Sequence, residues 1–203
     1  MGMDLDLLVS EMITSNLRSD ERMDFPGEYS SLRRAGVLVP LLKNNEWELL
    51  FTRRTDTVND HKGQVSFPGG MADTGDSNIT MTAIREAREE IGIQAEDIRI
   101  LGYLSEMHTV TDFLITPVVG LITWPFELNL SLDEVARVFT IPLKWLVDPQ
   151  NWEERSLTIG DRCIDNVVFF REYDGEVLWG VTARITLNFL ETIGLIESKS
   201  SGY

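Results

Sequence analysis

Residues 61–93 limit what this chain can form more than any other segment, because they place a glycine turn directly before a helix with an acidic face. Glu86, Glu89 and Glu90 occupy positions i, i+3 and i+4, so a helix brings their three carboxylates to one side. Like charges at this spacing cost an isolated helix about 0.2–0.5 kcal/mol per pair. That repulsion is accounted for if a divalent cation binds between the carboxylates. The pattern therefore predicts a metal site.

The apolar pattern along the chain predicts a mixture of helices and strands. The acidic helix is expected over residues 78–91, with Asp76 or Ser77 as its N-cap and Gly92 as its stop. Its other face carries apolar residues suited to packing on a sheet, namely Ala83, Ile84, Ala87 and Ile91. Strands are predicted at residues 35–42, 47–54, 65–67, 98–104, 113–123, 163–173 and 177–179, and further helices at 5–17, 142–147 and 181–193.

Hairpin signals flank the acidic helix, at residues 43–46 and at Asp174-Gly175. Strands paired on both sides of one helix favour an α+β fold, a mixed β-sheet sandwiched by helices, over a doubly wound parallel sheet. The chain has 203 residues, is 43% hydrophobic and lacks a linker-like stretch, so one domain is predicted over residues 31–195. Residues 1–30 are expected to form a helical extension for packing or for contact in a homodimer, and residues 196–203 a tail.

Charge and cysteine content exclude several classes of partner. Lys and Arg number 18 against 33 Asp and Glu, a formal net charge of −15, which opposes binding to nucleic acid or to an anionic membrane. No apolar run has the length of a membrane span. A small anionic substrate is compatible with this charge if bound cations and local Arg or Lys offset it. Cys163 is the single cysteine, and residues 1–12 are acidic where a secretory signal is basic, so a cytoplasmic location is expected.

Residues 85–93 are R-E-A-R-E-E-I-G-I and follow Gly70. This resembles the signature of the Nudix hydrolases, G-x5-E-x7-R-E-U-x-E-E-x-G-U, in which U is a bulky apolar residue. Ala87 departs from it at the first U, and Asp76 replaces the first Glu. Eight residues instead of seven then separate Asp76 from Arg85. The resemblance implies a Nudix-type α/β/α sandwich with a catalytic loop-helix motif.

The inserted residue and the Asp resemble the coenzyme A pyrophosphatase branch of this family. That branch also has an upstream motif, L-L-T-x-R-[SA]-x3-R-x3-G-x3-F-P-G-G. Residues 50–55 are L-F-T-R-R-T, and Gly63 and residues 67–70 match the later part. The departures are Phe51 for Leu, Thr55 for Ser or Ala, and Asn59 for the second Arg. Asn lacks the charge and the paired donors with which Arg binds phosphate.

By this resemblance, the acidic face binds Mg²⁺ or Mn²⁺, hard cations that prefer oxygen ligands. Glu86 and Glu90 are the expected direct ligands. Glu89 is expected to bind a second ion or a metal-bound water. Gly70, with Gly69, allows the main chain to approach the metal or the substrate. For three glutamates alone, an ordinary solvated helix face is the alternative.

Other roles follow from the resemblance or stay open. Arg85 is implied to orient a catalytic glutamate through a salt bridge, whereas Asp76 is either an N-cap or a catalytic residue. His61 and His108 are expected either to contact phosphate or to make structural hydrogen bonds. The candidates for the general base are Glu89, Glu106, Asp112 and Glu134, of which Glu134 resembles a recurrent acidic position of the branch. The candidates for substrate binding are Arg53, Arg54, His61, Lys62, Gly69 and Gly70.

These expectations describe a metal-dependent hydrolase of the diphosphate in coenzyme A or its acyl derivatives. The products implied by the resemblance are 3′,5′-ADP and (acyl-)4′-phosphopantetheine. ADP-ribose or another nucleoside-diphosphate-linked substrate is the alternative, favoured by Asn59. A non-catalytic nucleotide-sensing or protein-binding module is a second alternative, opposed by the three glutamates, because binding alone has no need of a costly acidic face.

Overall fold

The computed structural model describes residues 17–19, 32–56, 62–109, 112–160 and 162–197. Residues 5–16 of the predicted amino-terminal helix, Asn59 and His61 lie outside the described residues. The assignment of residues 1–30 and 196–203 to an extension and a tail therefore stays a prediction.

The described chain forms eleven strands, three α-helices and two short 3₁₀ helices. The strands are β1 (Arg33–Lys43), β2 (Trp47–Arg54), β3 (Val65–Ser66), β4 (Gly69–Met71), β5 (Ile98–Tyr103), β6 (Met107–His108), β7 (Phe113–Ile122), β8 (Val135–Pro142), β9 (Trp152–Ile159), β10 (Arg162–Tyr173) and β11 (Glu176–Trp179). The α-helices are α1 (Ile79–Ile91), α2 (Leu143–Leu146) and α3 (Gly180–Thr192), and the 3₁₀ helices are Ala95–Asp97 and Pro149–Asn151.

An eight-stranded mixed sheet forms the centre of the fold. β1 runs parallel to β7 over its whole length and antiparallel to β2 and β4 on its other side. β2 continues the sheet to β8 and β3, and β7 continues it to β5 and β6. A separate antiparallel sheet has the order β11-β10-β9. The predicted mixed sheet with helices is thus confirmed.

Helices cover both faces of the central sheet. The apolar side chains of β1 point alternately to the two faces, so both faces have to be shielded from water. Leu38 and Leu42 pack with α1 on one face. Val39 and Leu41 point the other way and pack with α3 and the small sheet. The apolar face predicted for the acidic helix is confirmed, since Ala83, Ala87 and Ile91 are fully buried and Ile84 packs against the same cluster.

The predicted elements within the described residues all lie within two residues of their observed bounds. The predicted stop of α1 is also confirmed, because Gly92 has a left-handed φ of 81° and its N–H donates to the Arg88 carbonyl. The predicted N-cap is wrong. Asn78 caps the helix instead, its side-chain oxygen accepting a hydrogen bond from the Met81 N–H. Strands β4, β6, β8 and β9 have no counterpart in the sequence-based prediction.

Candidate active site

Glu90 is the buried centre of the acidic helix face. It is 3% exposed, and among the described residues no hydrogen-bonding partner reaches its Oε2 atom. Burial raises its pKa to about 8, and the negative charges of Glu86 and Glu134 act in the same direction. The cation of Arg54, whose Nη1 lies 3.9 Å from Glu90 Oε1, and a hydrogen bond from the Gly69 N–H offset part of this shift. A buried carboxylate with an open oxygen is a natural ligand for a cation.

Glu86 lies directly against the glycine turn. A Cβ placed on Gly70 would lie 2.6–2.7 Å from the atoms of the Glu86 carboxylate, so this approach requires glycine. Burial raises the pKa of Glu86, and the Arg85 guanidinium, which donates to Glu86 Oε1 at 2.8 Å, lowers it. The main chain at Gly70 thus approaches the acidic face, whereas its predicted approach to a metal or the substrate stays a prediction.

Arg85 lies between the turn and the acidic face. Its Nη1 donates to Glu86 and, at 3.2 Å, to Glu89 Oε2. Its Nε and Nη2 donate to the two oxygens of Asp76, each at 3.0 Å. Asp76 also accepts hydrogen bonds from the Asp73 N–H and the Thr82 hydroxyl. Asp76 thus holds the guanidinium in place and is not the helix cap.

A loop at residues 131–134 brings Glu134 to the same site. Thr55, directly after β2, donates its N–H to the Glu134 carbonyl and its hydroxyl to the Asp133 carbonyl, both at 2.9 Å. The Ser131 N–H donates to the main-chain carbonyl of Glu90. Glu134 lies close enough for its charge to raise the pKa of both Glu86 and Glu90.

Two other candidates for the general base have different surroundings. The Glu106 carboxylate accepts hydrogen bonds from Arg34 and from the Thr116 hydroxyl, both at 2.9 Å. Asp112 has a left-handed φ of 61° directly before β7, and its N–H donates to the Thr109 carbonyl. His108 is exposed on β6.

The structure separates the basic candidates into two groups. Successive residues of a strand point to opposite faces, so Arg54 faces Glu90 whereas Arg53 faces the β10–β11 hairpin. Arg53 and Lys62 line a cavity of about 620 Å³ with Glu176 and Trp179 of that hairpin. Sequence reasoning did not identify these hairpin residues, because no local pattern links them to a loop more than a hundred residues earlier.

The acidic face offers the oxygen ligands that hard divalent cations prefer. In the part of the chain that the structure describes, no three His, Cys, Asp or Glu side chains converge closely enough to hold an ion. Arg85 binds Glu86 and Glu89 from one side. The open Oε2 of Glu90 and the approach of Gly70 to Glu86 nevertheless fit a metal, given a small movement of these side chains.

Comparison with known proteins identifies the family. A Nudix domain profile matches residues 32–158. The chain belongs to the Nudix family. Proteins named uncharacterized Nudix hydrolase NudL, from Yersinia pestis strain Pestoides F and Yersinia pseudotuberculosis serotype O:1b, are 36% identical over 163 residues, which are 80% of this chain and 81% of each relative. The crystal structure of DR0079 from Deinococcus radiodurans has a similar fold, with a TM-score of 0.50 and 14% identity over 84% of this chain and 88% of that one.

These findings confirm the predicted Nudix fold and the prediction of a Nudix hydrolase, an enzyme that cleaves phosphoric anhydrides in nucleoside diphosphate derivatives. Nudix hydrolases generally need divalent metal ions, in agreement with the acidic face. Of the helices in the described residues, none has the length and apolar character needed to cross a membrane.

We expect Asp76→Asn to destabilise this Nudix domain by about 1–3 kcal/mol at pH 7, since a charge-assisted hydrogen bond of a buried group is lost. The Arg85 guanidinium lowers the pKa of Asp76 from 3.8 to about 2. Stability from this pair is therefore fully present above pH 3.8 and is lost as the pH falls through 2. Urea unfolding between pH 2 and pH 7 measures it.

The control is Asp56→Asn, because the Asp56 side chain is 78% exposed and lies 3.8 Å from Arg53. This variant should unfold as the unmodified protein does at every pH. Equal urea midpoints for Asp76→Asn and the unmodified protein at pH 7 would show that Asp76 does not support the fold through Arg85.

Proposed function

We propose that this Nudix hydrolase cleaves the diphosphate of coenzyme A or its acyl derivatives, with 3′,5′-ADP and (acyl-)4′-phosphopantetheine as products. The position of Arg54 carries the proposal. Arg54 is the arginine of the upstream motif that resembles the coenzyme A branch, and its guanidinium lies 3.9 Å from Glu90. The motif that suggests coenzyme A therefore contributes a cation at the acidic face, where a diphosphate has to bind.

The proposed cofactor is Mg²⁺ or Mn²⁺, held by Glu86, Glu90 and the main chain at Gly70, with Glu89 near a second ion or a bound water. When bound, such an ion polarises a phosphoryl oxygen and lowers the pKa of water. Arg85 orients the carboxylates of Glu86 and Glu89, to which it donates hydrogen bonds.

Glu134 is the proposed general base, with Glu89 as the alternative. A general base must reach the attacking water and be unprotonated near neutral pH. Loop 131–134 places Glu134 beside the acidic face, because Thr55 and Ser131 fix its main chain beside β2 and α1 while the Glu134 side chain is exposed. Arg54 and Gly69 lie on the same side and are proposed to contact the substrate diphosphate.

Experiment distinguishes the proposed hydrolysis of coenzyme A from two other functions. Cleavage of ADP-ribose is favoured by Asn59, which replaces an arginine of the coenzyme A motif. A purely binding module is opposed by Glu90, because burying a carboxylate without a complete set of partners costs stability that binding alone does not require. The cytoplasmic location and the homodimer contact stay predictions.

A substrate panel tests the proposal. We expect coenzyme A or an acyl derivative to be hydrolysed with a kcat/KM at least about tenfold above that of ADP-ribose or dinucleotides, because a site with polar partners for one substrate rejects analogues that leave them unpaired. Product release should require Mg²⁺ or Mn²⁺ and stop in EDTA. A preference for ADP-ribose would refute the coenzyme A assignment but would leave the assignment of diphosphate hydrolysis intact. No metal-dependent release from any compound at high enzyme concentration would refute the hydrolase assignment.

A further inference from the structure

The cavity beside Arg53 lies between the β2–β3 pair and the β10–β11 hairpin. Its volume of about 620 Å³ lies within the usual range for small-molecule sites, roughly 300–1,000 Å³. It is distinct from the acidic helix face, because Arg53 and Arg54 leave β2 on opposite sides of the sheet.

The cavity is positive in a protein with a net charge of −15. Arg53 and Lys62 line it together with one carboxylate, Glu176. Glu176 is shared, since its oxygens lie 3.5 Å from Arg53 Nε and 3.3 Å from Arg137 Nη1. Asp56 Oδ1 lies 3.8 Å from Arg53 Nη2. Both contacts of Arg53 are longer than a tight charge-assisted hydrogen bond, about 2.7–2.9 Å, so the two carboxylates position Arg53 without using all its donors. The remaining donors suit an anionic group such as phosphate.

An aromatic wall completes the cavity. Trp179 lines it and stacks on Phe169, with ring centroids 5.6 Å apart and planes 6° from parallel. Arg155 lies over the same Phe169 ring, with its guanidinium carbon 3.9 Å from the centroid. Trp179 is thus the end of this row and lines the cavity. Val177, 43% exposed, adds apolar surface.

We propose that this cavity binds the 3′-phosphoadenosine end of the substrate. Trp179 stacks on the adenine ring, and Arg53 and Lys62 bind the 3′-phosphate, which is not cleaved. The inference rests on the proposed coenzyme A function and deepens it. ADP-ribose has no 3′-phosphate, so a cation pair outside the acidic face gives a physical reason for preferring coenzyme A.

Binding of 3′,5′-ADP in EDTA, measured by calorimetry, tests the cavity without catalysis. Trp179→Leu should weaken binding about tenfold or more, because stacking of one base contributes about 1–3 kcal/mol, whereas Trp179→Phe, which keeps a ring, should bind within about threefold of the unmodified protein. Trp145→Phe is the matched control, since Trp145 packs on Phe170 and Tyr173 and does not line the cavity. Equal affinity of Trp179→Leu and the unmodified protein would overturn the proposal.

The charge is tested by comparing 3′,5′-ADP with 5′-AMP. The unmodified protein should prefer 3′,5′-ADP by about tenfold, and Arg53→Gln should remove most of this preference, since a hydrogen bond to a charged group contributes about 1.5–3 kcal/mol. Arg155→Gln removes the same charge from β9 of the neighbouring small sheet, outside the cavity, and should keep the preference. Retained preference in Arg53→Gln would overturn the phosphate assignment.

The proposed hydrolysis of coenzyme A and the proposed role of the cavity can be refuted independently of each other. If coenzyme A is hydrolysed but Trp179→Leu and Arg53→Gln leave 3′,5′-ADP binding unchanged, the cavity assignment is wrong and the proposed function stands. If both variants weaken 3′,5′-ADP binding but coenzyme A is not hydrolysed, the site binds nucleotides and the proposed function is wrong. Inhibition by 3′,5′-ADP should raise KM alone, and a fall in kcat would overturn the assignment to the substrate itself.

Discussion

Replacing Glu90 with Gln is expected to lower kcat for diphosphate cleavage by about 10³-fold or more, since a bound ion contributes several kcal/mol of charge stabilisation to the reaction. The amide is close in size to the carboxylate but carries no charge for a hard cation. The affinity for Mn²⁺, measured by calorimetry, should fall together with kcat. Hydrolysis of coenzyme A at saturating Mg²⁺ gives the rate.

The same substitution is expected to stabilise the metal-free protein above neutral pH. The pKa of Glu90 is about 8 in the fold and 4.5 ordinarily, so the folded state favours the protonated acid. Ionisation therefore favours unfolding, and the metal-free protein loses stability as the pH rises from 4.5 to 8, by an amount on the order of a few kcal/mol. Gln cannot ionise and avoids this loss. Urea unfolding in EDTA measures this loss of stability. Added Mg²⁺ should restore the stability of the unmodified protein, whereas it should not stabilise the variant.

Glu96→Gln is the control, because Glu96 is exposed in the Ala95–Asp97 turn that follows α1. It should keep both the activity and the pH dependence of unfolding. Full turnover and full metal affinity in Glu90→Gln would remove Glu90 from the ligand set. Parallel unfolding profiles of Glu90→Gln and the unmodified protein between pH 5 and pH 8 would show that burial does not penalise this carboxylate.

Features that depend on local spacing were predictable from the sequence. The three glutamates and the apolar stripe of α1 follow one helical period, so their opposite faces could be assigned before the fold was known. β8 was missed because Val135, Val138 and Phe139 are spaced as on a helix, although they belong to a strand. β9 was not predicted because its charged residues interrupt the alternation of apolar and polar residues that is expected of a strand.

Features that depend on distant partners were not predictable. Asp and Asn are both common at the N-cap position, so the sequence around Asp76 and Asn78 does not identify the cap. In the structure Asp76 binds Arg85, and Asn78 caps the helix. A strand at β2 already implies that the side chains of Arg53 and Arg54 point to opposite faces of the sheet. Which carboxylate each one meets depends on where α1 and the β10–β11 hairpin pack. The metal and substrate roles of these residues accordingly stay proposals.

Replacing Gly70 with Ala is expected to lower kcat/KM by about 10²-fold, because a displacement of about 1 Å in a reacting group has an effect of this size. The new methyl group would lie 2.6–2.7 Å from the Glu86 carboxylate, which therefore has to move. The side chain moves more easily than the main chain, so the domain should keep its fold and most of its stability. Circular dichroism and urea unfolding check this expectation beside the rate and the Mn²⁺ affinity.

Gly75→Ala, in the loop that joins β4 to α1, is the matched control. A Cβ there meets only the Asp73 Oδ1 atom, at an ordinary contact distance of 3.8 Å, and should leave the rate unchanged within about twofold, as for most surface substitutions. The two variants add the same atom to the same segment before α1, and only the one at Gly70 touches the Glu86 carboxylate. A large loss of rate in Gly70→Ala alone therefore assigns the effect to the Glu86 carboxylate. Equal rates in both variants would mean that the close approach of Gly70 has no part in metal or substrate binding.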